Sequence, residues 1–530
     1  MSERILTLDL TRETSTYTEY SPQAERPYGR GLALELLKEH VPTGAGRFSP
    51  DNALVLVPGL FVGNSAPSAC RIMLATCEDN AGGMQICNMT GNIAQKLGSL
   101  GIAGVVIKGK AEKPGTVIHI DKDGASIYCD ESLNGLYTSD VLRRLKSQYD
   151  NDSAIIGIGR SGDMMMPLSS FFCTYPDGEP EYHVPRNGFG DVWGSKNLRA
   201  IVVDSDGYFG RECFDSKRFS SAGKKLARII VDDEICGSAL PTYGSITIMK
   251  ILEGGAGISA LPEIARERTD IADIKRESSG KKTNKTCAPM CVIGCLNRHA
   301  ASNGRKYSSP AQVETQAAIE NCFGIDDYEL ANDVQKKASE IGLVATEFVT
   351  ASNTYARALG IENAQTHLLE WLDEIAEGTP VGRVIACRTR GVAELYKDAD
   401  LTGWLDIRAS QEEDSFDIKI GSPYKGLKGL SELDMLYAQI FVLENLGICM
   451  FTSFALLDNT KAFDLLAEMF EARTGIETDG ETLIRQADNC IKQERLYKEE
   501  RWKAAQKRNI PQFTRVLYRY FGSRDEARDE

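Results

Sequence analysis

Residues 183–204 read HVPRNGFGDVWGSKNLRAIVVD, a run of glycines that empties straight into a β-branched segment. Arg186 and Asn187 precede Gly188 and Gly190, and Gly194-Ser195-Lys196-Asn197 turns the chain into Ala200 to Val203. Glycine lets backbone N–H groups approach anionic oxygens closely and arginine adds a bidentate partner, so such a turn can cradle a phosphate. Taken alone, the same glycines are better explained as tight turns.

Upstream the theme recurs. Short apolar runs ending at or near glycine occupy Asn52 to Gly59, Gly104 to Gly109, Thr116 to Ile120 and Ala154 to Gly159, which predicts strands. Few are joined by helical patterns, Gly91 to Leu100 being the clearest, so a doubly wound parallel sheet is not expected. A second glycine segment, Gly63 to Gly109, carries Arg71 and the pair Gly82-Gly83. Two glycine loops with arginines suggest two anionic ligands.

Downstream of Gly207 the period changes. Ala331 to Ala345, Ala364 to Glu377 and Thr482 to Trp502 place apolar residues at three- and four-residue spacing, which predicts amphipathic helices. The expected fold class is α+β: a β-rich domain over residues 1–206, then a mainly helical region over 207–530 that forms two intertwined helical domains. At 530 residues the chain is too long for one core. Ile264 to Thr286, rich in Lys, Arg, Ser and Asp, is expected as an exposed loop. No short-period repeat is evident.

The balance of 61 Lys plus Arg against 75 Asp plus Glu gives a net charge of -14, which argues against a nucleic-acid partner. Met1 to Thr16 has no secretory pattern, so a cytoplasmic protein is expected. The apolar run Leu54 to Val62 is broken by Pro58-Gly59, and no membrane span is expected.

Fourteen cysteines are mostly scattered, but Thr286 to His299 reads TCAPMCVIGCLNRH and spaces Cys287, Cys291 and Cys295 four residues apart. Such a triplet arises by chance in roughly one chain in a hundred of this composition. A cysteine-striped helix is disfavoured by Pro289 and Gly294. Zinc remains open, although zinc sites favour a second cysteine or histidine pair. An iron–sulfur cluster suits three thiolates on one loop, with a fourth arriving from elsewhere.

Together these motifs resemble the aldehyde:ferredoxin oxidoreductase family. Arg71 ahead of Gly82-Gly83, Val106 to Ala111 (VIKGKA), Gly159 to Asp163 (GRSGD) and Arg186 to Ile201 are similar to the family's motifs in the same order. The resemblance implies a bis-pterin cofactor carrying tungsten or molybdenum on the N-terminal domain, with a Mg2+ bridging the pterin phosphates. Its binding residues would be Arg71, Gly82, Gly83, Arg186, Asn187, Gly188, Gly190, Gly194, Ser195 and Lys196. Glu444-Asn445-Leu446-Gly447-Ile448-Cys449 is similar to the family's DxxGLC, which implies Cys449 as fourth ligand of a 4Fe-4S cluster, with Glu444, Gly447 and Ile448 near the cofactor. The sister motif falls on Ser339 to Val344 and lacks both acidic residues, leaving Gly342 and Leu343. Glu314, in PAQVETQ, is implied as the general acid/base.

No histidine stands between Thr402 and Cys449, where family members place a catalytic one, and the metal-bridging Glu-x-x-His motif is absent. The expected activity is oxidation of a small aldehyde to a carboxylate, with electrons leaving to ferredoxin or an iron–sulfur subunit. Two alternatives are reduction of an acid or aromatic thioester on the same cofactors, and a non-catalytic electron-transfer protein. The latter would not need phosphate cradles.

Overall fold

The computed structural model describes residues 3–21, 27–78, 83–150, 152–176, 181–205, 210–244, 286–296, 298–300, 306–310, 313–325, 327–399, 401, 427, 429–457 and 459–507. The loop expected at 264–286 lies outside them except for Thr286.

The apolar runs of the first 205 residues do become strands. They are β1 (Glu3–Asp9), β2 (Thr14–Tyr20), β3 (Leu54–Pro58), β4 (Ile72–Cys77), β5 (Met84–Met89), β6 (Ile102–Lys108), β7 (Thr116–Ile120), β8 (Ala125–Cys129), β9 (Ala154–Ile158), β10 (Phe171–Thr174), β11 (Tyr182–His183) and β12 (Leu198–Val203). Every residue of β3, β9 and β12 is buried. Strands covered on both faces need no polar alternation, which is why these read as continuous apolar runs.

The strands form two six-stranded sheets, ordered β2-β1-β6-β3-β4-β5 and β11-β10-β9-β12-β7-β8. Read from opposite ends, the two orders are the same, each strand's counterpart lying six strands later. The directions agree as well: β1 is parallel to β6 and β7 to β12, while β3 is antiparallel to β4 and β6, as β9 is to β10 and β12. The N-terminal region is therefore a structural duplication with a long period.

Helix Asn92–Ser99 is the one anticipated from sequence. Its Ile93, Ala94 and Leu97 join Val192 and Trp193 and the inner faces of both sheets in one core. Two further helices went unforeseen. Arg30–His40 covers the first sheet with Leu32, Leu36 and Leu37, and Thr138–Lys146 covers the second with Val141, Leu142 and Leu145.

The helical region packs in two groups. Ser216–Asp232, Glu432–Leu446, Thr460–Thr474 and the start of Gly480–Lys507 share the core between the sheets, whereas Val313–Phe323, Tyr328–Ile341, Ala345–Leu359 and Leu368–Glu377 build a second core with Met166 and Leu168. Among the described residues no helix is long and apolar enough to cross a membrane.

The helix expected from Ala331 through Ala345 is broken at Gly342. There φ is 89°, and the N–H groups of Gly342 and Leu343 both donate to Ala338 O, at 2.9 and 2.8 Å. A left-handed glycine closing two such bonds ends a helix. Ala364–Glu377 likewise opens as a 3₁₀ turn, Ala364–His367.

Helix Glu432–Leu446 ends the same way at Gly447, φ 79°, and the two ends meet equivalent points of the duplication. A Cβ at Gly447 would lie 2.8 Å from Gly59 Cα, and one at Gly342 2.9 Å from Gly159 Cα. Gly447→Ala therefore combines left-handed strain with a backbone collision. The strain alone costs about 1–3 kcal/mol, so a clear fall in the denaturant midpoint is expected, and an unchanged midpoint would refute the packing.

Candidate metal and cofactor site

Three chain segments converge beside β4. Ser68, at φ 56°, is the knot: its N–H donates to Met290 O (2.7 Å), its hydroxyl accepts from Val292 N–H (3.3 Å), and its carbonyl accepts from Cys449 N–H (2.9 Å). Ala69 bridges Ile448, and the N–H groups of Cys70 and Arg71 both donate to Gly447 O at 2.9 and 3.0 Å. A non-glycine residue held left-handed at such a knot marks a place that tertiary contacts over-determine.

This knot gathers the expected cysteines. Cys287 contacts Cys291, and Cys295 lies close enough to Cys287 and Cys449 to feel their charge. A fifth thiol joins them: Cys70, wholly buried, touches Cys287 and Cys449, so the contacts run Cys291, Cys287, Cys70, Cys449. Among the described residues no group of three His, Cys, Asp or Glu side chains is placed to hold a single metal ion.

Arg71 Nη2 donates to Cys449 Sγ at 2.9 Å, and Thr90 Oγ1 to Cys287 Sγ at 3.4 Å. Contact with Cys70, then the Arg71 charge, draws the Cys449 thiol down to about 6. Contact with Cys291, then with Cys70, and the Arg71 charge hold Cys287 below the ordinary thiol range as well. Thiolates are the metal-binding form, so these two sulfurs are the ligand-competent ones as the chain stands, whereas thiol contacts and burial push Cys70, Cys291 and Cys295 above the ordinary thiol range.

His183 and Tyr175, which the sequence did not single out, stack with centroids 4.7 Å apart in the same region. Burial pulls His183 down to about 4, so the ring is neutral near pH 7, and its Nδ1 is buried without a partner. Arg71 Nε and Asn88 Oδ1 are likewise buried and unpartnered. Orphaned buried polar atoms such as these are what a polar ligand would satisfy, and five thiols around a guanidinium suit an iron–sulfur cluster. Both implied groups therefore fit the residues present.

The glycine turn at 186–197 is closely packed. A Cβ at Gly188 would lie 1.7 Å from Ser170 Oγ, one at Gly190 2.5 Å from Ser170 O, and one at Gly194 2.0 Å from Gly162 O. On their Cβ side these glycines admit Ser170 and Gly162 of the chain itself, and that close packing by itself requires glycine at all three. Lys196 and Ser195 are engaged within the chain as well. The Lys196 ammonium donates to Asn52 O (2.6 Å) and Gly109 O (2.9 Å), with burial pulling its pKa down to about 8, and Ser195 Oγ donates to Val192 O (2.8 Å). Gly83 faces Lys498 of the long C-terminal helix, its Cβ direction meeting Lys498 Cα at 2.9 Å. Gly82 lies outside the described residues.

Two members of that turn remain available. Asn187 is left-handed at φ 56°, and the Arg186 side chain is 68% exposed, with Glu314 Oε1 3.6 Å from its Nη2. The structure thus brings the candidate acid/base to the exposed arginine.

Glu444 is committed to a network. Arg30 Nη1 donates to its Oε2 at 2.8 Å and Asn88 Nδ2 to its Oε1 at 3.0 Å, while Arg30 also clasps Glu494 through two bonds of 2.9 and 2.8 Å. Burial alone would raise Glu494, but Arg30 and Lys498 overcome it and bring the carboxyl to about 2. Its folded value lies below the unfolded one, so this pairing stabilises the fold above about pH 4.5 and is lost as pH falls towards 2. Glu494→Gln should flatten the loss of melting temperature between pH 7 and 3; a variant with the wild-type acid slope would contradict the assignment. Gly342 and Leu343 meet Gly159 and Ser169 rather than any thiol, and Glu340 accepts from Tyr182 Oη at 2.7 Å.

Comparison with known proteins bears on this geometry. Residues 5–205 match the family model described as aldehyde ferredoxin oxidoreductase, N-terminal domain. The tungsten-containing aldehyde ferredoxin oxidoreductase of Pyrococcus furiosus is 25% identical over 366 residues, 67% of this chain and 58% of that protein. Its Pyrococcus abyssi namesake is 25% identical over 424 residues, 75% of this chain and 68% of that protein. The match thus spans little more than half the length of the P. furiosus relative. A solved chain from the active site complex BamBC of benzoyl coenzyme A reductase, in complex with 1,5 dienoyl-CoA, superposes with a TM-score of 0.72 at 16% identity, covering 98% of this chain and 94% of that one. That likeness speaks to the fold. The family model lies across both sheets, so residues 5–205 form a domain of the aldehyde ferredoxin oxidoreductase N-terminal kind, and similarity to the tungsten-containing relatives extends over 67–75% of the chain.

Proposed function

We propose that this protein is a tungsten- or molybdenum-dependent oxidoreductase that oxidises an aldehyde to a carboxylate and passes the electrons, through a 4Fe-4S cluster, to ferredoxin or a partner subunit. The observation that carries this reading is the convergence of Cys287, Cys291, Cys295 and Cys449 around Arg71, at the seam between the first sheet and helix Glu432–Leu446. When bound, the metal bis-pterin supplies two-electron exchange with the substrate and the cluster supplies single-electron exchange with the acceptor.

The chain's own residues then have defined tasks. Cys449 and thiols of the 286–296 loop hold the cluster, and Arg71 places a fixed positive charge beside their sulfurs. Arg186 and Arg71 offer guanidinium groups to the cofactor's phosphates. Glu314, part-exposed at the start of Val313–Phe323, accepts a proton from the water that adds to the aldehyde carbon and releases it to solvent. The overall conversion of aldehyde plus water to acid yields two electrons and two protons.

The absence of any histidine between residues 402 and 449 favours a second reading, reduction of an acid or an aromatic thioester on the same cofactors. Protein purified anaerobically from a tungstate- and molybdate-supplemented host should reduce a viologen when given an aldehyde. Consumption of an aromatic acyl thioester with reduced viologen, and no turnover of aldehydes, would replace the first reading by the second.

A further inference from the structure

We propose that Cys70 is an iron ligand, so that this chain's cluster site is built from five thiols. The inference rests on the cluster reading above and goes beyond it, because Cys70 stands apart from the cysteine triplet and from the Glu444 to Cys449 motif.

Contact is the first argument. Cys70 is fully buried and packs with Cys449 and Ala288, with Cys287 against them. It touches two sulfurs already assigned to the cluster, on two different segments, and so is the middle of the row that joins them. Its backbone is pinned: the N–H donates to Gly447 O at 2.9 Å, and the neighbouring Ala69 bridges Ile448. The thiol cannot leave the site without undoing the knot at Ser68.

The duplication supplies the second argument. In the other half Ser169 bridges Leu343 as Ala69 bridges Ile448, and Ser170 N–H donates to Gly342 O at 2.8 Å as Cys70 N–H does to Gly447 O. Ser170 is therefore the structural counterpart of Cys70, Phe171 of Arg71 and Val344 of Cys449. The Ser170 hydroxyl donates to the chain's own Pro185 O at 2.9 Å. One backbone arrangement thus carries serine where the facing residue is Val344, and cysteine where it is Cys449.

The chemistry is simple. The Cys70 thiol gives its proton to solvent as the sulfur–iron bond forms, with no change in sulfur oxidation state, and Arg71 offsets the added thiolate charge. A cubane has one outward site on each iron, so with Cys70 and Cys449 as ligands two of the three thiols of the 286–296 loop complete the set.

Full-length wild type, Cys70→Ser, Cys70→Ala and the exposed-site control Cys129→Ser would be reconstituted anaerobically with ferrous iron and sulfide. Iron per folded chain and the electron paramagnetic resonance spectrum of the dithionite-reduced protein would be compared, with circular dichroism to count folded protein. The expected result is that Cys70→Ala loses iron at least about twofold and Cys70→Ser shifts the spectrum, while Cys129→Ser matches wild type. Near-isosteric Cys70→Ser keeps the test valid where the alanine variant does not fold. Wild-type iron content and an unchanged spectrum in the Cys70 variants would overturn the proposal. A wild-type chain that takes up no iron would instead overturn the functional reading beneath it.

Discussion

Replacing Cys449 with serine is expected to strip the iron from the protein and to abolish electron delivery to any acceptor. Cys449 is the one expected ligand that arrives from outside the 286–296 loop, and it is held by its own N–H on Ser68 O and by Arg71 on its sulfur. Removing even an outer partner of a metal ligand costs about 10- to 100-fold in affinity or activity, so losing a direct ligand should exceed that. The backbone of residue 449 does not depend on the sulfur, so the variant should melt as a folded protein. Iron content and viologen reduction, measured on the same sample, check the prediction; a serine variant with wild-type iron would remove Cys449 from the ligand set.

The second large effect is expected at Glu314. Its carboxylate lies near an exposed guanidinium at the start of a helix, where a negative charge is favoured. A general base removed from its proton typically costs 10²- to 10⁴-fold in rate, so Glu314→Gln should lower kcat for the aldehyde by about that factor and leave iron content and melting unchanged. A glutamine variant with full kcat would reduce Glu314 to a solvated helix-start carboxylate.

Much of this was legible from sequence where the residues concerned are neighbours in the chain. Cys287, Cys291 and Cys295 announce themselves by spacing, and the continuous apolar runs of β3, β9 and β12 announce strands buried on both faces. Cys70, Tyr175 and His183 carry no such mark, because only the packing of distant segments brings them to the thiols. The duplication was invisible for a related reason. It is preserved in strand order and in backbone hydrogen bonds, while the side chains at equivalent points have diverged to Cys70 and Ser170, or Arg71 and Phe171. Gly188, Gly190 and Gly194 were rightly read as places of close approach, yet sequence cannot say what approaches, and here it is the chain's own Ser170 and Gly162. Lys196 shows the same limit: a lysine after glycine and serine looks free for a phosphate until three-dimensional packing supplies the carbonyls of Asn52 and Gly109.

The central claim is that the thiols around Arg71 hold an iron–sulfur cluster beside a tungsten or molybdenum bis-pterin. Elemental analysis of anaerobically purified protein, from a host able to make the pterin and supplied with tungstate and molybdate, tests it most directly. The account predicts about four irons and about one tungsten or molybdenum per chain, and zinc as the only metal would contradict it.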